Sequence, residues 1–423
     1  MASRTIAEHA EAVRELVQPA LERAAADAPE AIGIADPGLA GRTAAAPLRS
    51  AIPLPPFDNS QMDGYAVRAS EVAALLATDG SRATLPIGLT AAAGDPPLTL
   101  APGTASPVMT GAPIPHGADA VIPIERSDPD RFTSLVRPGD APSRAPEGTV
   151  SFSEAPAPGT FVRASGSDLA QGEILVDQGV RLTPARIGLL ANAGISEVPV
   201  VRLPRVLLLA TGDEVAGAGE TPRPGQIFDA NGPLLAAALR GAGAEVVSRR
   251  VADQPAAVTA LLREEAPRFD LVVTSGGISA GAFEVIREAL TPAGIDFLAV
   301  AMQPGGPQGL GALPGGTPVL CFPGNPVSSA LSAEAFLLPL LRSFAGRTPR
   351  RSEHRELADA VDSPAMKHQL RRGNLDTDGR VRVTPPSSHL LADLAAAELI
   401  AHIPLGVTRL EAGDTVEIWR LDD

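Results

Sequence analysis

Cysteine occurs once in the chain, at Cys321, which excludes a disulfide within one chain and any zinc or iron–sulfur site built from paired thiolates. Lysine also occurs once. Lys367 follows Met366 rather than the glycine of a P-loop, so no Walker-type nucleotide site is present. The histidines (His9, His116, His354, His368, His389, His402) never fall three to five residues apart, which argues against a helical His-pair zinc site. Aromatic residues make up 3% of the chain against 44% apolar, so the core must be built from Ala, Val, Leu and Ile. No apolar run is long enough to span a bilayer, and Met1-Ala2-Ser3-Arg4 opens without an apolar segment. The expectation is neither a spanning helix nor a signal peptide, with the cytoplasm as compartment. Lys and Arg total 35 against 49 Asp and Glu, a net charge of −14, which argues against nucleic acid or an anionic membrane as partner.

What is present divides by texture. At about 150 residues per domain, 423 residues predict two to four domains. Val13, Leu16, Val17 and Leu21 recur at helical spacing, predicting a packing or dimer-contact helix over 6–28 with a break at Pro19. From Ala51 to Pro156, Pro and Gly punctuate short runs (Leu85–Leu89, Ala120–Ile124, Phe132–Val136), the pattern of a small β-rich module. Between Arg205 and Gly346 strands alternate with helices. Strands are expected at 206–210, 245–251, 271–274, 297–301 and 319–322, and helices at 234–239, 256–265, 283–290 and 327–344. That alternation predicts a three-layer α/β domain with a largely parallel sheet, whose ligands bind at the carboxyl ends of the strands. Short strands at 380–384, 399–403 and 415–419 predict a small C-terminal β-barrel.

Four of the α/β strand ends carry polar or glycine-rich loops: Thr211-Gly212-Asp213-Glu214, Ser275-Gly276-Gly277-Ile278-Ser279, Gln303-Pro304-Gly305-Gly306-Pro307 and Pro323-Gly324-Asn325-Pro326. Glycine lets backbone N–H groups approach an anion closely, and a following helix adds its positive end. Asp213 and Glu214 supply hard oxygen ligands suited to Mg²⁺. A phosphate or oxyanion pocket with a carboxylate-held metal is the expectation, against the plain alternative of four tight turns. The run Phe57–Ala66 holds the only tyrosine and delivers Asp63 either to a site or to a solvated turn. Gly277-Ile278-Ser279-Ala280-Gly281 also satisfies the serine-hydrolase elbow, although no histidine outside the C-terminal module follows Ser279 to complete a triad. A dimeric binding scaffold is the non-enzymatic alternative.

With these segments in hand, the chain resembles the molybdopterin molybdotransferases, the MoeA proteins and gephyrin E-domains, over nearly its full length. The resemblance rests on Pro55–Arg68, on Met109-Thr110-Gly111-Ala112-Pro113 and on Gly166-Ser167-Asp168. It continues through Ser275-Gly276-Gly277 and Pro323-Gly324-Asn325-Pro326-Val327-Ser328. It implies α/β plus β architecture in an elongated, dimerising, four-part subunit. The parts would be a discontinuous linker domain (1–50 with 157–185), a β-rich insertion (51–156), a MogA-like α/β domain (186–346) and a β-barrel (347–423). The implied reaction inserts molybdate into adenylyl-molybdopterin with Mg²⁺ and releases AMP, the molybdopterin adenylyltransferase being a possible partner.

By position, the resemblance assigns Asp63, Asp168, Glu214 and Asp253 as catalytic. It assigns Thr110, Gly276, Gly277, Ser279, Pro304, Pro307, Pro323, Asn325, Pro326, Ser328, Arg372 and Ser388 to substrate, and Asp213, Glu214 and Glu284 to metal. Plain alternatives are open for four of them: Thr110 as a turn cap, Asp253 as an N-cap for the helix near Pro255, Asp168 as a turn residue, and Arg371 with Arg372 as a solvated pair. The chain departs from the family where relatives carry loop lysines, having Gln303 and Gly306, and where they carry a carboxylate, having Ala282. Those departures leave open a tungstate-handling or inactive paralogue that acts as a pterin-binding scaffold.

Overall fold

The computed structural model describes residues 4–141, 144–212, 215–217, 219–279 and 284–421. The chain forms two compact units, Met1–Ala45 with Gly179–Thr183 and Glu197–Asp423, and Ala46–Gln178 with Pro184–Ser196.

The first unit is built on a six-stranded sheet. Its spatial order is Glu245–Val251, Arg205–Thr211, Leu271–Ser275, Pro318–Phe322, Pro307–Ala312, Asp296–Ala299. The first four strands are parallel, while Pro307–Ala312 runs antiparallel to both neighbours. This antiparallel strand is absent from the sequence expectation because Pro-Gln-Gly-Leu-Gly-Ala lacks the β-branched residues that mark a strand. It returns the chain so that the 303–307 loop lies on the same sheet edge as the other three. Strand residues alternate between two cores. Val206, Leu208, Val273 and Phe322 face one, and Leu207, Leu209, Val272 and Cys321 the other. Burial pushes the Cys321 thiol up to about 12, leaving it a small inert hydrophobe.

The first core is covered by the helix Ile6–Ala26, the helix Asn231–Ala242 and a long helix that runs Pro326–Ser332, through a π turn at Ala333–Leu337, into Leu338–Phe344. Pro19 does not break the first of these. Val13, Val17, Ala20, Leu21 and Ala24 make one buried stripe on both sides of it, while Pro19 itself faces solvent. Packing of that stripe outweighs the roughly 3 kcal/mol cost of an internal proline. A Thr5–Glu8 capping box fixes the helix start. The Asn231 helix runs past Gly241 to a left-handed cap at Gly243 (φ 103°), three residues longer at its start than the apolar periodicity indicates.

The barrel within this unit follows the order Ser352–Glu356, Thr415–Arg420, Leu399–Ile403, His368–Leu375, Val381–Val383. A Leu357–Val381 bridge closes the ring. Met302–Gln303 pairs parallel with His368–Gln369 and ties the barrel to the α/β layer.

The second unit has a core of Tyr65, Val67, Val72, Leu85, Ile122, Val150 and Phe152 beneath two three-stranded sheets. It also contains a helix, Ala69–Asp79, capped by Gly80 (φ 75°), which the β-rich reading does not anticipate. Phe132–Val136 is not a ladder strand. Thr90 holds its end, its N–H donating to the Val136 carbonyl while its Oγ1 accepts from the Val136 N–H, and Ser134 Oγ accepts from the Glu147 N–H. Among the described residues no helix is long and apolar enough to cross a membrane.

Candidate functional site

The parallel strands end in a single cleft of about 620 Å³, within the range of small-molecule sites. Its floor is locked by side chains that bond across loops. Asn231 Nδ2 donates to Ser275 Oγ at 2.8 Å and to the Gly324 carbonyl at 2.7 Å. Ser275 Oγ shares a 2.9 Å bond with Ser329 Oγ, which donates to the Pro323 carbonyl. Gly276 and Gly277 adopt φ of 92° and 62°, and a Cβ on Gly277 would come within 3.0 Å of the Ile286 backbone N. Only glycine fits that approach.

Most residues assigned by sequence to the α/β edge meet here. Gly276, Gly277 and Ser279 line one wall, Pro323, Asn325, Pro326 and Ser328 another, and Pro307 the rim. Glu284 and Asp253 contribute carboxylates. The Ser279 N–H donates to Glu284 Oε2 at 2.8 Å. Asp253 is not the helix cap: Gln254 holds that position, without a side-chain capping bond. Pro304 lies outside the cleft lining. Asp213, Glu214 and Ala282 fall outside the described residues.

The barrel reaches the cleft at its Asn325 rim, where Asn325 Nδ2 donates to Ser388 Oγ at 3.0 Å. The loop carrying Ser388 is clamped by Arg372, whose Nη1 and Nη2 donate to the Ser387 and Pro385 carbonyls, each at 2.6 Å. Arg372 is 2% exposed and its Nε is buried without a partner. Arg371, 8% exposed, donates through Nε and Nη2 to the Thr384 carbonyl. The two arginines are therefore not a solvated pair. Burial lowers the pKa of both from the usual guanidinium value.

In the second unit Asp63 Oδ1 accepts from Thr110 N–H at 2.7 Å and from Thr110 Oγ1 at 2.8 Å, so these two assigned residues form one cluster. Asp168 is exposed in the turn after Gly166 (φ 72°), its N–H donating to the Leu54 carbonyl.

With this geometry in view, comparison with known proteins is decisive. Residues 4–194 match the model of the MoeA N-terminal region (domain I and II), 207–343 a probable molybdopterin binding domain and 355–421 the MoeA C-terminal region (domain IV). Molybdopterin molybdenumtransferase 2 of Mycobacterium tuberculosis is 41% identical over 381 residues, covering 87% of this chain and 89% of that one. The chain belongs to the MoeA family. The Synechococcus elongatus molybdopterin molybdenumtransferase is 36% identical over 386 residues, covering 87% and 89%. A crystal structure of the molybdopterin biosynthesis MoeA protein from Pyrococcus horikoshii aligns with a TM-score of 0.73 at 29% identity, covering 96% of this chain and 98% of that one.

Within this MoeA chain the two substituted loop positions are accounted for differently. Gln303 Oε1 accepts from Gln369 Nε2 at 2.7 Å, so it serves the junction between barrel and α/β layer. At Gly306 the absent side chain leaves room for the only lysine. Lys367 Nζ lies 3.7 Å from where a Cβ would stand. Among the described residues no three His, Cys, Asp or Glu groups cluster as a metal site. The described cleft lining does carry three separate carboxylates, Asp229, Asp253 and Glu284, of which Asp229 accepts from the Gly232 N–H.

The sequence reading missed six cleft residues, Val215 and the run Ile227, Phe228, Asp229, Ala230 and Asn231. An apolar pair followed by Asp-x-Asn just before a helix was the available signal, hidden because the periodic apolar positions begin only at Leu234. No histidine is among the described residues lining the cleft, so no Ser–His pair is assembled at Ser279 there.

Proposed function

We propose that the chain is a molybdopterin molybdenumtransferase, inserting molybdate into adenylyl-molybdopterin and releasing AMP in molybdenum cofactor biosynthesis. The observation that carries this reading is the cleft itself: glycine loops, a carboxylate set and two helix N-termini, at Asn231 and Pro326, on the carboxyl edge of a parallel sheet. An acidic protein must bind an anionic substrate through such local dipoles, since its net charge repels it. In this reading the Ser275–Gly277 and Pro323–Pro326 loops cradle the substrate, with Gly276, Gly277, Asn325 and Ser328 facing it. Ser388 orients the oxyanion side through Asn325, and Arg372 fixes Ser388 by holding the carbonyls before it. Bound Mg²⁺ would neutralise phosphate charge, held by Asp253 and Glu284 with Asp213 and Glu214. Roles for Asp63, Thr110 and Asp168, a homodimeric assembly, a cytoplasmic setting and an adenylyltransferase partner belong to the same proposal.

The test is to incubate the protein with adenylyl-molybdopterin, Mg²⁺ and molybdate, and to quantify AMP and pterin-bound molybdenum. Molybdate-dependent AMP release is expected from the wild type and none from a folded Glu214→Gln variant. Pterin binding without turnover in the wild type would instead mark a non-catalytic paralogue.

A further inference from the structure

The cleft is polar on most sides, yet two large apolar side chains stand out of its wall. Ile227 is 62% exposed and Phe228 54%, and both line the cleft. Their backbone is held firmly. The strand Ile227–Phe228 pairs parallel with Val215–Ala216, and the Asp229 N–H donates to the Ala216 carbonyl at 2.9 Å. Asp229 Oδ1 then accepts from the Gly232 N–H at 2.8 Å, fixing the passage into the Asn231 helix. The Phe228 ring meets no other ring and no cation among the described residues. A short paired strand thus presents an aromatic face and a branched aliphatic side chain to a polar cavity.

We infer that Ile227 and Phe228 form the stacking platform for a fused nitrogen heterocycle of the substrate, an inference that rests on the proposed transferase reading. An adenylylated pterin carries two such rings, a purine and a pteridine. Both are flat and polarisable, with polar edges and an apolar face. Such a ring gains by covering a phenyl group, while the polar groups opposite satisfy its edges. A phosphate or an oxyanion gains nothing from the same surface, so the platform sorts the ring end of the substrate from its anionic end.

The experiment uses the full chain and three probes: AMP, unsubstituted pterin, and ribose 5-phosphate as a ringless control, each titrated calorimetrically into the wild type, Phe228→Ala and Phe228→Trp. Phe228→Ala is expected to weaken one of the two ring probes by roughly ten- to a hundredfold, leaving ribose 5-phosphate unchanged, and Phe228→Trp to restore it. The ring that responds names the occupant. Equal loss for all three probes, no loss for any, or no measurable binding of either ring by the wild type would overturn the inference. So would a change of oligomeric state without a change in ring affinity, which would assign the pair to contact between copies. The transferase reading fails separately, through absence of molybdate-dependent AMP release from the wild type, and ring binding dependent on Phe228 would survive that result.

Discussion

Replacing Arg372 tests how the barrel serves the cleft. The buried guanidinium makes two 2.6 Å bonds to backbone carbonyls, and Asp393 acts on it only from beyond ion-pair distance. Arg372→Lys keeps the charge, but an ammonium cannot span the Pro385 and Ser387 carbonyls as a fork does. One charge-assisted bond is lost, and because Pro385 is exposed and Ser387 half-buried water can meet the released carbonyl, so a loss of about 1.5–3 kcal/mol is expected. With a urea slope of about 1–3 kcal/mol per molar, the barrel's unfolding midpoint should fall by roughly 0.5–3 M. Trp419, the only tryptophan, sits in the barrel strand Thr415–Arg420 and reports this transition by fluorescence. Molybdate affinity, read by calorimetry, should fall with it, because Ser388 follows the released loop. A lysine variant with the wild-type midpoint would refute the clamp. If that variant had also lost molybdate binding, Arg372 would be reassigned to direct contact with the oxyanion.

His402 is 6% exposed, packed on Trp419 and on His368, with its pKa held at about 4 by burial and then by His368. The unfolded chain therefore takes up this proton first. Stability from the neutral imidazole is complete above about pH 6.5 and is lost as pH falls toward 4, up to about 3 kcal/mol. Urea midpoints compared at about pH 7.5 and pH 5 should show this slope, and His402→Gln should reduce it, leaving the part due to buried His9, whose pKa is likewise lowered to about 4. Asn231→Leu removes two bonds, one of them to the buried Ser275 hydroxyl, so thermal unfolding should show a loss of about 1–3 kcal/mol together with weaker substrate binding. Ser279→Ala changes an exposed cleft-wall residue and should alter stability by less than about 0.5 kcal/mol and turnover only slightly; abolished turnover in the folded variant would revive a nucleophilic serine.

The parts of the fold legible in the sequence are those where one physical signal dominates. Val206–Ala210 reads as a strand because burial on both faces demands an unbroken apolar run. Glu245–Val251 and Leu399–Ile403 are found at their observed bounds. The misread parts are those settled by tertiary context. Pro19 obeys a local rule only until a buried stripe on both sides of it overrides that rule. Phe132–Val136 has strand composition but no ladder partner. Arg371-Arg372 looks like a surface pair until strand His368–Leu375 is placed between Leu399–Ile403 and Val381–Val383, which closes water away from it. In the cleft, glycine and proline loops were legible because backbone geometry restricts those positions to few residue types. Asn231 was not, because its importance lies in two bonds to loops distant in sequence.

The same lesson applies to the chain's sparse cations near the cleft rim. In the sequence, Gln303 and Gly306 leave one loop without two positive charges. The fold returns one of them from 61 residues away, since 367 − 306 = 61, by leaving the Gly306 position open to Lys367. The Lys367 N–H donates to the Pro364 carbonyl, but its ammonium makes no hydrogen bond or ion pair among the described residues, and the residue is half-buried, so its charge is only partly screened. A half-exposed ammonium facing an anion contributes on the scale of an exposed ion pair, about 0.2–1 kcal/mol, which corresponds to at most about a fivefold change in affinity. Lys367→Met should therefore weaken molybdate binding by about two- to fivefold, with a shallower salt dependence and an unchanged unfolding midpoint. Gly306→Lys in the Lys367→Met background should restore affinity if the loop needs only a charge at that place. Unchanged molybdate affinity and salt dependence in Lys367→Met would show that this family member works without a cation there.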